Sequence, residues 1–161
     1  MILYIVRHAW AEERNEEAWP DDSQRPLTES GCKRFSRLVK KLVKTGFSPN
    51  MIATSPLTRC QQTADLLAER IAGKPDIVPL VALAPCSDLD ALTKWSAEHS
   101  EEQIAWVGHA PDVGRLASQL IGGESNIRFA KGAVAAIRFE SAVQPGAGEL
   151  QWLATAKLLG V

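Results

Sequence analysis

Three short apolar runs, each giving way to a polar turn and later a helical pattern, constrain this chain more than any other feature. Residues 2–6 (Ile-Leu-Tyr-Ile-Val) are continuously apolar and rich in β-branched side chains, as expected of a strand buried on both faces of a parallel sheet. Residues 51–54 give a second such strand and residues 103–107 a third. After the second, Ser55-Pro56 begins a helix whose apolar positions Cys60, Ala64, Leu67, Ala68 and Ile71 lead to Gly73. After the third, Pro111 sits where a helix starts, and Val113, Leu116, Ala117, Leu120 and Ile121 carry its apolar face to Gly122-Gly123. The first strand is followed by an irregular polar loop, residues 9–27. Thr28 then caps a helix with Cys32, Phe35, Leu38, Val39, Leu42 and Val43 at helical spacing and Gly46 as its stop.

A weak strand over residues 76–83, a helix over 88–99 around Leu89, Leu92 and Trp95, and two closing strands over 134–139 and 150–154 complete the pattern. Strands alternating with helices predict an α/β fold, a three-layer α/β/α sandwich with a mainly parallel central sheet, and residues 1–161 read as a single domain. In such sheets the crevice at the C-terminal ends of the strands is the expected ligand site.

The 18 basic and 19 acidic side chains nearly cancel and are scattered along the chain. No global field then favours nucleic acid or an anionic membrane, and an anion site has to be assembled locally. Cys32, Cys60 and Cys86 are odd in number and not closely paired, which predicts buried thiols in a reducing compartment. Arg7-His8 cuts the first apolar run far below the length of a signal-peptide core or a membrane span, so a cytoplasmic location is expected.

Three strand ends deliver related groups to one edge: Arg7-His8 after the first, Arg59 just after the second, and His109 after the third. The planar fork of arginine suits phosphoryl oxygens, and a helix's first turn adds N–H groups and a favourable dipole. A histidine among such cations has its pKa lowered, which leaves one ring nitrogen unprotonated and able to attack phosphorus. The arginines and a protonated second histidine would neutralise the transferring group without a metal, and no metal-ligand spacing or other cofactor motif occurs.

These residues resemble the histidine phosphatase superfamily, the phosphoglycerate-mutase-like group, whose signature is an Arg-His pair ending the first strand. Met1-Ile2-Leu3-Tyr4-Ile5-Val6-Arg7-His8-Ala9 is similar to that opening. Ser55-Pro56-Leu57-Thr58-Arg59-Cys60-Gln61-Gln62-Thr63-Ala64 is similar to the second motif, and Val107-Gly108-His109-Ala110-Pro111 to the third. Arg25-Pro26-Leu27-Thr28, Leu83-Ala84-Pro85-Cys86 and the short chain resemble the SixA type of phosphohistidine phosphatase. The resemblance implies His8 as nucleophile, Arg7 and Arg59 as phosphate ligands, and His109 as phosphate ligand and transition-state stabiliser. Arg25 would be a further basic contact, and Ser23 a possible donor. It also implies a monomer acting on a phosphohistidine-bearing protein, such as a histidine-phosphotransfer domain or a phosphocarrier, in signal transduction.

Two departures bear on substrate. Ala9 stands where many members have glycine, a modest backbone restriction. No acidic general acid stands where ester-cleaving members keep one, and Asp88, the nearest carboxylate, reads as a helix N-cap. An alkoxide leaving group needs a positioned acid whereas an imidazole needs less help, so a phosphoramidate is the better substrate. Two rivals remain: a phosphomonoesterase for a small metabolite using Asp88 or a loop glutamate as acid, and a silent phosphoprotein-binding module. Glu12 and Glu13 could orient a basic residue but read as solvated loop. A nucleotide-binding switch is a remote reading, since no Gly-rich loop ending in Lys-Ser or Lys-Thr occurs. His99 reads as a surface residue at a helix end, Trp95, Trp106 and Trp152 as packing, and Trp10 and Trp19 as candidates for a docking surface beside the pocket.

Overall fold

The expected strands meet in one six-stranded sheet in the computed structural model, which describes residues 1–99 and 103–161. In chain order they are β1 (Ile2–Arg7), β2 (Met51–Thr54), β3 (Asp76–Pro79), β4 (Gln103–Gly108), β5 (Val134–Arg138) and β6 (Glu149–Ala154). Their spatial order is β3-β2-β4-β1-β5-β6. The first four run parallel, β5 is antiparallel to β1, and β6 to β5. Among the described residues four α-helices flank the sheet: α1 (Glu29–Val43), α2 (Thr58–Ala68), α3 (Leu89–Glu98) and α4 (Asp112–Leu120).

Successive strand residues face opposite ways, which divides the core in two. Tyr4 and Val6 of β1 pack with Phe35, Leu38, Val39 and Leu42 of α1 and with Ala64 and Leu67 of α2. Leu3 and Ile5 pack on the other face with Leu92 of α3 and Val113, Leu116, Ala117 and Leu120 of α4. The predicted three layers follow from this alternation. Thr28 caps α1, its hydroxyl accepting the Gly31 N–H at 2.9 Å. Gly31 is small for a reason: a Cβ there would lie 2.4 Å from the Trp10 carbonyl oxygen, so only glycine lets the first loop press against α1.

Three boundaries differ from the expected ones. The second helix starts only at Thr58, because Ser55 is still tied to the sheet through its N–H to the Val107 carbonyl, and it stops at Ala68, short of Gly73. The weak strand stops at Pro79, where its pairing with Thr54 at the end of β2 runs out, and Val81–Leu83 turns as a short 3-10 helix. The thiols also divide: Cys60 is buried, Cys32 half-buried and Cys86 exposed, since Cys86 sits in a loop at φ 69°. Among the described residues no helix is long and apolar enough to cross a membrane.

Candidate active site

Strand register assembles the site. Arg7 pairs with Gly108 across β1 and β4, so the next residues, His8 and His109, emerge side by side from the central strands. Their ring centroids lie 5.3 Å apart. The His8 N–H donates to the Gly108 carbonyl at 3.0 Å, and the Ser55 N–H to the Val107 carbonyl at 2.9 Å, which draws the start of the Ser55–Arg59 segment to the same edge. Thr63 joins it from α2: its hydroxyl donates to the Arg59 carbonyl at 2.6 Å and accepts the Ala9 N–H at 3.0 Å.

The result is an open cavity of about 420 Å³ that brings together Arg7, His8, Arg59 and His109, the residues at the three strand ends, with Arg25, the residue the resemblance added. Ser23 does not line it. Glu12 serves Arg25 through its carbonyl oxygen, 2.7 Å from Nη1, and not through its carboxylate. Asp88 caps α3, accepting the Ala91 N–H at 3.0 Å. Trp10 is taken up in packing: the Arg34 guanidinium lies 4.4 Å from its ring centroid. Trp106 is fully buried in the core, Trp95 and Trp152 pack half-buried against it, and His99 stacks on Trp95 at the end of α3.

His8 is 8% exposed. Its Nδ1 lies 2.8 Å from the Ala9 carbonyl oxygen, which only accepts, so Nδ1 carries the hydrogen and Nε2 keeps a bare lone pair. Burial pulls its pKa down to about 3, with the charges of His109, Arg59 and Arg7 adding smaller downward pushes, so burial and not the cations dominates. His109 differs from the expected protonated form. Burial holds it at about 4, and the ring is neutral at pH 7 in the free protein. Its Nε2 lies 2.8 Å from the Ser55 hydroxyl, which accepts the Leu57 N–H at 3.4 Å and so can donate its own hydrogen to the ring.

The arginines are fixed by acceptors on the loops. Arg7 Nη1 donates to the Phe129 carbonyl at 2.8 Å. Arg59 is 5% exposed, and it donates from Nη1 to the Asp22 carbonyl at 2.8 Å and pairs through Nη2 with the Asp22 carboxylate at 3.2 Å. Arg25 Nε reaches the same carboxylate at 2.8 Å. The Nε–H groups of Arg7 and Arg59 are buried with no partner among the described residues, donor capacity whose desolvation an anion would offset.

Sequence reasoning missed Asp22, Thr63, Asp112, Arg115 and Lys131. Asp112, Arg115 and Lys131 line the cavity. Asp112 is 5% exposed and uses both carboxylate oxygens, accepting the Cys86 N–H at 2.9 Å and pairing with Arg115. Its place in the first turn of the helix after His109 was the available signal. Among the described residues no group of three or more acidic, histidine or cysteine side chains could hold a metal ion.

The sequence pattern of the histidine phosphatase superfamily (branch 1) matches residues 3–146. The chain belongs to that superfamily. It is 36% identical over 129 residues to an uncharacterised protein of Picosynechococcus, covering 78% of this chain and 76% of that one. It is 27% identical over 155 residues to the phosphohistidine phosphatase SixA of Escherichia coli, covering 94% and 92%. The solved structure of protein histidine phosphatase SixA complexed with tungstate superposes with a TM-score of 0.86 at 25% identity, covering 99% of each chain. The α-ribazole phosphatase of Shigella flexneri shares the fold, with a TM-score of 0.70 at 17% identity over 97% of each chain. The phosphoglycerate-mutase-like fold expected from the motifs is thus the observed one, and the chain is a phosphatase of the histidine phosphatase type.

Proposed function

We propose that this member of the superfamily hydrolyses phosphohistidine displayed on another protein, through a phosphohistidine intermediate on His8. The observation that carries the reading is the state of the cavity's carboxylates. Asp112 is the one carboxylate lining it among the described residues, and both its oxygens are engaged. That leaves no poised acid for an alkoxide, while an imidazole leaving group needs only a ring proton, which the open cavity takes from solvent.

In this mechanism His8 Nε2 attacks phosphorus in line, forming its N–P bond as the N–P bond to the substrate histidine breaks. Arg7, Arg59 and Arg25 hold the phosphoryl oxygens. Neutral His109 donates from Nδ1, and the incoming dianion raises its proton affinity. Water then attacks the intermediate, releasing inorganic phosphate and His8. No metal or cofactor takes part, and the protein acts as a monomer; its three free cysteines suit a reducing, cytoplasmic setting.

The test is hydrolysis of a phosphorylated histidine-phosphotransfer domain beside a panel of small phosphate esters, by wild type and His8→Ala. Loss of protein phosphate with wild type alone, and little ester cleavage, is the expected result. Faster cleavage of esters would move the substrate to small metabolites, and a wild type that binds phosphate but turns over neither would make the protein a binding module.

A further inference from the structure

Among the described residues five cations line the cavity, and two of them, Arg7 and Arg59, carry the buried unpartnered N–H groups suited to a phosphoryl group. Arg115 and Lys131 stand at its mouth. The Arg115 side chain is 58% exposed and is held over the rim from α4 by its ion pair with buried Asp112. Lys131 is exposed and forms no ion pair among the described residues. Its position comes from the site itself: the Gly132 N–H donates to the His8 carbonyl at 3.1 Å, and Arg7 grips the Phe129 carbonyl. Gly132 turns there at φ +69°, with Phe35 and Trp10 each 3.0 Å from where a Cβ would lie, so glycine alone makes this turn without strain. Two separate segments therefore each carry one cation to the cavity, Arg115 held by its ion pair and Lys131 by the backbone beside it, on a chain whose net charge is −1.

We propose that Arg115 and Lys131 form a docking rim for acidic residues flanking the phosphohistidine, so that the preferred substrate is a phosphohistidine set in an acidic protein surface. The proposal rests on the phosphohistidine reading above and adds the charge of the partner. A free phosphorylated amino acid gains nothing from the rim, whereas an acidic segment pairs with both cations as it enters, which raises its association rate.

The test uses three synthetic phosphohistidine peptides of equal length, flanked by glutamates, glutamines or lysines, with free phosphohistidine as control. They are assayed with wild type and with the double variant Arg115→Gln, Lys131→Glu, where the glutamine keeps an N–H for Asp112. Wild type should prefer the glutamate peptide to the lysine peptide about tenfold or more in kcat/KM, with the preference shrinking as salt rises. The double variant should flatten that preference while hydrolysing free phosphohistidine within about twofold of wild type, and its unchanged melting temperature would show an intact fold. Equal use of all peptides by wild type would overturn the rim alone; failure on every phosphohistidine substrate would overturn the parent reading. A variant that loses free phosphohistidine as severely as the peptides would place these residues in phosphoryl binding and overturn docking.

Discussion

Asp22 puts a negative charge beside a site built for anions. Its carboxylate touches Arg25 at 2.8 Å and Arg59 at 3.2 Å, and those hydrogen bonds and charges, the one from Arg25 foremost, hold its own carboxyl below the usual carboxylate range. Two roles follow. Asp22 holds both guanidinium groups in place, and on the proposed reading it competes with the phosphoryl group for them. A partly solvated pair of this kind contributes on the order of 1 kcal/mol. Asp22→Asn keeps the backbone carbonyl that holds Arg59 but removes the competing charge, so the inhibition constant of inorganic phosphate should fall roughly three- to fivefold. Phosphate titrations of initial rates measure it, and weaker phosphate binding would show that the strut outweighs the competition. None of this was legible in the sequence, because Asp22 is one polar residue in a loop crowded with them, 37 positions from Arg59.

Among the elements, α2 contributes most to the site through its first turns. Arg59 lies in the first turn, and Thr63, one turn on, donates to the Arg59 carbonyl and accepts from the Ala9 N–H, coupling the helix to the segment that carries His8. Thr63→Val keeps the shape but leaves the Ala9 N–H buried and unpaired, which should cost about 1–3 kcal/mol in urea unfolding. It should also lower kcat more than it raises KM, because the Ala9 N–H beside His8, the proposed nucleophile, loses its partner while the arginines keep theirs. Thr63→Ser should restore both, and a variant with wild-type kcat would limit Thr63 to packing. The helix itself was legible from its apolar spacing. Its boundaries were not, because Ser55-Pro56 looks like a helix start until the sheet claims the Ser55 N–H.

For the whole molecule, folding around two buried neutral histidines sets a pH dependence. Each ring binds a proton less readily folded, at about 3 for His8 and about 4 for His109, than at the ordinary 6.5 of an exposed histidine. Below about pH 6.5 the unfolded chain therefore takes up more protons than the folded one, and stability present above that pH is lost as pH falls toward 4. The loss should amount to several kcal/mol, at about 1.4 kcal/mol per tenfold change in proton affinity. Urea midpoints at pH 7, 5.5 and 4.5 measure it, and the double variant His8→Gln, His109→Gln should lose much of the slope. An unchanged slope would assign acid unfolding to the carboxylates instead. At this scale the amino-acid sequence by itself determined the layers, the parallel strands and the convergence of Arg7, His8, Arg59 and His109, because hydrophobic periodicity and strand-end position are local properties of a chain. Only the tertiary structure decided that His109 is neutral, that Asp22 braces two arginines, and that Asp112 holds Arg115 at a rim shared with Lys131. Those outcomes depend on burial and on side chains distant in sequence meeting within a few ångströms, which no local pattern encodes.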